Sequence, residues 1–461
     1  MAALWVPVIL VLQFLMGLGL LRRLRVSRST TQQAALGMLL GLPLSSLVVF
    51  LLDLVGIHLT LVSVLAGFLV AAALLNAPWP RQPRLTVAVA RAPRTSFRAY
   101  EWPFVVFLVW VAAISVWRAY YLPVTLRDAI VGLDLVAKYA AAQGTLRSTV
   151  FSDPQLQGHL SNQPFYAPFP MLMQVVFRLA GLPFGQLWLS AMFLSFVVFF
   201  YSRLRESVHS VVAGVVMVLL LAVPEMYAHT FMVLNDYPTA VFFGLSVVLF
   251  HEHFRDRRSG AFLLSALFIG FACWTRADTI FFALPGAGMA VWLARRGAGR
   301  GGGQAGLRSA WAHGLVFAAI PGALVLLWHG LYLGLILRQG PEGPGVAGAL
   351  ELFSLPGAFY RTAWLFGQAG RYGYLVYVFF AVALANLVFL RDRSANALLA
   401  WVAILYLGFV AILFALPAAS LEGTLKRGFF KFFPVMAFYL AESRLLRLLS
   451  ERIVRWEQGG A

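Results

Sequence analysis

Apolar residues run through this chain in long blocks, and the polar positions gather into short breaks between them. The blocks begin at Leu4 and recur throughout, many of them near the ~20 residues with which an α-helix crosses about 30 Å of hydrocarbon. They predict helices near 4–21, 33–52, 59–76, 102–120, 186–202, 208–224, 237–254, 260–274, 279–294, 311–331, 373–390, 397–416 and 428–442. The expected fold is therefore an all-α membrane protein with about 13 transmembrane helices.

The breaks carry arginine clusters at Arg22–Arg25, Arg81–Arg98, Arg203–Arg205, Arg255–Arg258, Arg295–Arg308, Arg391–Arg393 and Arg444–Arg455. Short basic loops stay on the cytoplasmic side of a membrane. Placing every cluster there requires an even number of crossings between neighbours, and the apolar blocks supply it. The N-terminus is then expected outside and the C-terminus in the cytoplasm. The opening run MAALWVPVIL has no Lys or Arg ahead of it and a basic cluster behind it, which reads as a retained helix, since a cleaved signal peptide carries its charge in front. The long outside loop spans 121–185, between the fourth and fifth helices, and shorter outside segments fall at 224–236, 333–372 and 417–427. Three regions follow: 1–101, with three helices and a basic cytoplasmic loop; 102–296, with the two loops 121–185 and 224–236; and 297–461, with the remaining helices.

Composition sharpens this picture. The chain is 61% hydrophobic and 12% charged, against about 45–50% and about 25% in soluble domains. Its net charge of +18 does not imply nucleic acid as a partner, because the arginines sit in short clusters between apolar runs instead of on one surface. The bilayer is the expected partner, in a plasma (inner) membrane. The single Cys273 excludes an internal disulfide framework and a cysteine-rich metal site. The link GAGRGGG, 297–303, follows no strand and reads as flexible filler, not as a phosphate cradle. No internal repeat is visible.

Carboxylates number only 18 in the chain, so their positions carry information. The loop LRDAIVGLDLVAKYAAAQGTLRSTVFSDPQLQGHLSNQPFYAPFPML holds Asp128, Asp134, Lys138 and His159. Asp128 lies just beyond the fourth helix, where an acid is costly unless paired or used. Asp134 and Lys138 are four apart and can pair on a helix face. In PEMYAHTFMVLNDYPTAVFF, Asp236 opens the seventh helix, where an acid both caps and complements the dipole. Glu225 and His229 share a metal-compatible spacing but lack a third ligand. The turn TRAD, Thr275–Asp278, offers either a local Arg276–Asp278 ion pair or an arginine for a lipid phosphate. Lys426, Arg427 and Lys431 of LEGTLKRGFFKFFP break the positive-inside pattern, and are read either as interfacial snorkelling or as contacts to an anionic headgroup.

The order of these features resembles the GT-C superfamily, the integral-membrane glycosyltransferases that use polyprenyl-phosphate sugars. It is similar to the branch with protein O-mannosyltransferases and the lipid A aminoarabinose transferase. The resemblance covers roughly Trp102–Pro285, with an echo at Lys426–Pro434. It implies that Asp128 of RDAIVGLDLVAK is the catalytic acid of the first loop, with Asp134 as fallback, and that Lys138 is the following basic residue. Asp236 of NDYP corresponds to the second-loop acid and Arg276 of TRAD to the next basic turn. His159, Asn162, Gln163 and Tyr166 lie in the donor or acceptor loop. There SNQPFYAPFP departs from the relatives, having no charge and no paired prolines. Three apolar runs precede the matched module, a further departure.

What the resemblance implies is an inverting transfer at the outer face, with an Asp general base and cations Lys138, Arg276, Lys426 and Arg427 on the donor phosphate. The acceptor is a glycan, lipid or protein hydroxyl, and neither a metal nor another cofactor is needed. Two other readings stay open: a polytopic transporter or lipid flippase, and a polysaccharide polymerase or ligase with a polyprenyl-pyrophosphate donor.

Overall fold

The computed structural model describes residues 2–26, 28–78, 98–161, 163–256, 258, 260–297, 303–337, 354–415 and 426–459. The basic stretch 81–97, most of the link 297–303, part of the segment 333–372 and most of 417–427 lie outside the described residues. Among those described, every regular element is helical. Hydrocarbon offers no partner to a backbone N–H or C=O, so an apolar chain must close its hydrogen bonds within each segment.

Each apolar block of the sequence is a helix: Ala2–Arg23, Thr30–Leu54, Leu61–Asn76, Trp102–Tyr121, Leu187–Leu204, Ser210–Leu221, Asp236–Asp256, Ala261–Thr275, Ile280–Gly297, Gly303–Val325, Leu375–Leu384, Asn396–Ala415 and Phe432–Glu442. Seven spans are long and apolar enough to cross a membrane unaided, at Leu4–Arg23, Thr30–Leu54, Ala99–Tyr121, Leu187–Leu204, Ala277–Gly297, Leu307–Ile336 and Asn396–Phe414. Ser210–Leu221 and Pro224–Phe231 make an eighth if their 78° bend lies within one span. The remaining blocks fall short for simple reasons. Leu61–Asn76, Ala261–Thr275, Leu375–Phe389 and Phe432–Glu442 are shorter, and Asp236–Asp256 ends in charged residues. The chain is an α-helical membrane protein. The stretch 121–185 is also largely helical, with Asp134–Gln143 packed on the apolar, almost wholly buried helix Phe169–Leu179.

By its contacts the chain forms two compact units, interleaved along the sequence and so cut differently from the three consecutive regions above. The first comprises Met1–Ser202, Thr230–Pro238 and Trp328–Gly340. Its opening pair of helices crosses backbone to backbone. A Cβ on Gly17 would stand 1.8 Å from the Gly37 carbonyl oxygen, and one on Gly41 the same distance from that of Gln13. Gly37 and Gly41 are four apart, the small-residue spacing that lets membrane helices approach closely. Gln13 Nε2 bonds Ser45 Oγ at 2.9 Å across this contact.

Asp53 ends the second helix, where the helix dipole disfavours an acid. It is held by three donors: Thr145 Oγ1 at 2.8 Å, the Leu146 N–H at 2.7 Å and Tyr332 Oη at 2.7 Å. These bonds fasten the 121–185 segment and the Trp328–Ile336 turns to one helix end. Tyr332 stacks on Trp328 with ring centroids 5.0 Å apart.

The second unit comprises Arg203–His229, Thr239–Leu327 and Pro341–Ala461. Its core is aromatic: Phe250 meets Phe317 at 5.4 Å and Trp401 at 5.5 Å, and Phe243 meets Trp401 at 5.6 Å. Helix Asp236–Asp256 touches Ala261–Thr275 through the Ser246 and Ser265 hydroxyls, 3.1 Å apart.

At one end of this unit two basic clusters of the sequence converge on carboxylates, and a third bonds the backbone beside them. Arg203, 3% exposed, pairs with the fully buried Glu252 and, through Nη2 at 3.1 Å, with Glu442. Arg255 also pairs with Glu442, Ser207 Oγ donates to the same carboxylate at 2.5 Å, and Arg258 reaches Glu206 at 3.0 Å. Arg447, from the third cluster, donates to the Glu442 carbonyl. Removing one partner strands buried charges, so Glu442→Ala is expected to destabilise the protein by about 3–5 kcal/mol. Glu206→Ala, at a partly exposed bridge, should cost under ~1 kcal/mol. Thermal unfolding in detergent measures both, and equal shifts would show that the Glu442 network is not holding this end together.

Candidate functional site

In the first unit the helix Trp102–Tyr121 ends in Trp117, Tyr120 and Tyr121, an aromatic girdle of the kind found where bilayer meets water. The chain re-enters helix at Arg127 and passes through a π-helical turn at Ala129–Leu133, where Val131 departs from helical angles (φ −100°, ψ 20°). Such turns often mark functional positions. Asp128 sits on its leading edge, half-buried, with its carbonyl accepting from Ser161 Oγ at 3.0 Å. The Ser161 N–H donates to the Val131 carbonyl at 2.8 Å. A Cβ on Gly132 would lie 2.1 Å from Ser161 Oγ, so glycine is what allows the returning loop to rest on the turn.

Asp134 begins the next helix and is buried. Its partner is Arg178, not Lys138 as the i,i+4 spacing suggested: Arg178 Nη2 lies 2.6 Å from Oδ2, and Nε lies 3.0 Å from Oδ1. Gln174 Nε2 adds a bond to Oδ1 at 2.8 Å, and Trp188 Nε1 fixes Gln174 through Oε1 at 2.9 Å. A fork-on-carboxylate pair is strong and directional, which makes Asp134 a pillar between Asp134–Gln143 and Phe169–Leu179. Lys138 is exposed one turn further on, and so is His159. The Tyr166 carbonyl accepts from His329 Nε2 at 2.9 Å. Gln163 opens the short helix Gln163–Tyr166, and Asn162 lies outside the described residues.

Asp236, 3% exposed, starts the helix Asp236–Asp256 beside the buried Asn235. In the same short segment, Ser115 Oγ reaches the Thr230 carbonyl at 3.4 Å and lies 3.2 Å from Ser190 Oγ, while Tyr237 meets Phe193 edge-on. Thr230 Oγ1 and the Tyr237 hydroxyl are buried with no hydrogen-bond partner among the described residues. Orphaned hydroxyls are rare in finished protein interiors and are usually satisfied by water or a ligand.

The second unit holds the candidate cations other than Lys138. Arg276, 7% exposed, pairs with Asp278 at 2.8 Å in the turn between Ala261–Thr275 and Ile280–Gly297. The local ion pair is therefore formed. Lys431 is 2% exposed, its Nζ 5.6 Å from the Phe282 ring and 5.8 Å from Phe409. An ammonium over two aromatic faces is a cation–π arrangement. Lys426 and Arg427 are half-buried, and Tyr372 Oη donates to the Lys426 carbonyl at 3.0 Å.

Burial lowers the affinity of the Lys426 amine for its proton, and Arg371 and Arg361 push the same way, with Glu225 opposing. Arg371 and Arg361 thus belong to the electrostatics around Lys426. Sequence reasoning passed over both, although each lies in the expected outside segment 333–372 and breaks the positive-inside pattern as Lys426 does. Glu225 faces Arg371 at 4.0 Å, and His229 packs edge-on against Phe430 at 4.8 Å. Among the described residues no three His, Cys, Asp or Glu side chains are grouped to hold a metal. Arg178 was also missed, because its acid lies 44 positions away and only the packed helices bring them together.

In comparisons with protein-family profiles, curated proteins and solved structures, none matches this chain.

The assignment of Asp134 to packing has a direct test. Arg178→Met leaves a buried, unpaired carboxylate and should lower stability by about 3–5 kcal/mol, whereas Asp134→Leu/Arg178→Met together should recover most of the loss. Denaturation midpoints in one detergent measure both. A double variant as unstable as the single one would mean that the pair is not the source of the stability.

Proposed function

We propose that this chain is a membrane glycosyltransferase of GT-C type, with thirteen crossings, moving a sugar from a polyprenyl-phosphate donor to an acceptor hydroxyl at the outer face. The observation that carries the reading is the bidentate Asp134–Arg178 pair. It commits one loop acid to packing, and Asp128, half-buried on a π-helical turn, is the other acid at the head of the same segment. The aromatic girdle at Trp117–Tyr121 supports an interfacial position for that turn.

In this reading Asp128 takes the proton of the acceptor hydroxyl as its oxygen bonds the anomeric carbon. The bond from that carbon to the phosphate oxygen breaks, and polyprenyl phosphate leaves as a dianion. The configuration inverts because attack and departure are on opposite faces of the sugar. No proton is needed on the leaving oxygen when cations meet its charge. Arg276, Lys426, Arg427 and Lys138 are the cations of the reading, with Arg371 and Arg361 adding positive potential around Lys426. Asp236, buried at a helix start, orients sugar or acceptor hydroxyls, and the orphaned Thr230 and Tyr237 hydroxyls support a polar ligand near it. Tyr166, through its fixed carbonyl, and His159 contribute to the acceptor loop.

The test uses the full chain in lipid with a panel of polyprenyl-phosphate sugars and cell-envelope extracts as acceptors, reading release of polyprenyl phosphate. Asp128→Asn is expected to lower turnover by ~10²–10⁴ while the protein stays folded. Removing Lys426 and Arg427 together should lower kcat by roughly 10²–10³. Undiminished turnover in Asp128→Asn would transfer the base role to Asp236. Movement of labelled lipid across vesicles without release would replace the enzyme with a carrier.

A further inference from the structure

Helix Phe432–Glu442 ends at Ser443, whose extended backbone (ψ 141°) stops one helix and starts another, Arg444–Gly459. The second helix therefore begins where a fully buried apolar helix ends. Its sequence, RLLRLLSERIVRWEQG, divides around the axis into three stripes. One stripe is docked. Ser450, 7% exposed, accepts from the His209 N–H at 3.0 Å, and Glu457 meets His209 Nε2 at 3.2 Å. Arg447 Nη2 reaches Ser394 Oγ at 3.1 Å along the same edge.

About 100–120° further round, at one turn per 3.6 residues, lies an apolar stripe turned away from the protein. Leu449 is 46% exposed and Trp456 is 79% exposed. A tryptophan this exposed next to an exposed leucine is unfavourable in water and suited to the boundary between acyl chains and headgroups. The third stripe is polar and basic, with Arg444, Arg452 and Arg455 all exposed. Over the helix four arginines stand against Glu451 and Glu457, and Glu457 already faces His209. The uncompensated charge is positive.

We infer that Arg444–Gly459 is an in-plane anchor on anionic phospholipid: Leu449 and Trp456 enter the acyl boundary, and Arg452 and Arg455 bind headgroup phosphates. Charge complementarity selects the occupant, since an apolar edge flanked by arginines fits an anionic bilayer surface. The helix is also tethered at both the Ser450 and Glu457 positions, so lipid contact orders it without refolding. This inference does not rest on the glycosyltransferase reading.

Cys273 is the only cysteine and is 1% exposed, so a Cys273→Ser background gives a clean site for labelling. A polarity-sensitive fluorophore is placed at Leu449→Cys, on the apolar stripe, and separately at Glu451→Cys, on the polar one. The full chain is then studied in nanodiscs of phosphatidylcholine with or without phosphatidylglycerol. The label at 449 should be blue-shifted and quenched by brominated acyl chains, more so with phosphatidylglycerol, while the label at 451 should be quenched by aqueous iodide. Arg452→Gln and Arg455→Gln should each weaken the phosphatidylglycerol effect roughly fivefold. Iodide quenching at 449 in every disc would overturn the inference and point to a soluble partner. Protection at 449 from both quenchers would overturn it by showing that the stripe packs on protein. Bromolipid quenching indifferent to phosphatidylglycerol would overturn the headgroup assignment.

Discussion

A carboxylate taken out of water has to be met by a cation or by several donors, or it loses its charge. Few constraints shape this molecule more, because the chain is mostly apolar and carries only 18 acids. Four buried acids meet the constraint, each in its own way. Asp53 uses three neutral donors drawn from two other segments. Asp134 uses one guanidinium and one amide. Glu252 and Glu442 share Arg203. In every case the partners come from chain segments far apart in sequence, so satisfying the charge also fixes how helices and loops are joined. Apolar contacts between helices are weakly directional in a bilayer, where lipid competes equally well for them. The ion pairs and hydrogen bonds supply the register that such contacts lack.

This explains why some features were legible in the sequence and others were not. Helix positions were legible because local hydropathy is read directly from residue order, and each apolar block is a helix, most with ends within a few residues of those expected, although the block expected at 311–331 begins as early as Gly303. The local pair Arg276–Asp278 was legible as one of two readings, since its members are two residues apart. Asp134 was misread toward Lys138 because a spacing of four is visible in a sequence, whereas Arg178 becomes its neighbour only when Phe169–Leu179 folds back. The same holds for Arg203, Arg255 and Arg447. They were taken as topology signals, and they are also the counter-charges or donors of Glu252 and Glu442. The two roles are compatible, because an arginine at a helix end can mark a side of the membrane and bond a neighbouring helix.

The inference from acid to function changes accordingly. A short list of loop acids offers several candidate bases, and burial alone does not separate them, since Asp134 and Asp236 are both buried. Asp134 is marked out by the guanidinium that holds it. A carboxylate gripped by a two-armed guanidinium and an amide has its lone pairs committed to the protein, which leaves little for a substrate hydroxyl to bond. That argument assigns Asp134 to packing before any substrate is considered.

The cations divide by the same logic. Lys431 lies between aromatic faces with almost no exposure, so its charge is stabilised in place by ring quadrupoles and is costly to rearrange. Among the described residues, Lys426 feels Arg371, Arg361 and the opposing Glu225, so positive charge predominates there. Like charges held together repel, and an arriving dianion relieves that repulsion in addition to its direct attraction. Such a group gains most from a ligand whose negative charge grows as it departs, which is the electrostatic demand that a leaving phosphate makes on its site. Lys431, already compensated, gains less. The crowded set at Lys426 is therefore the stronger of the two as a phosphate-binding candidate, although Lys431 is the more deeply buried.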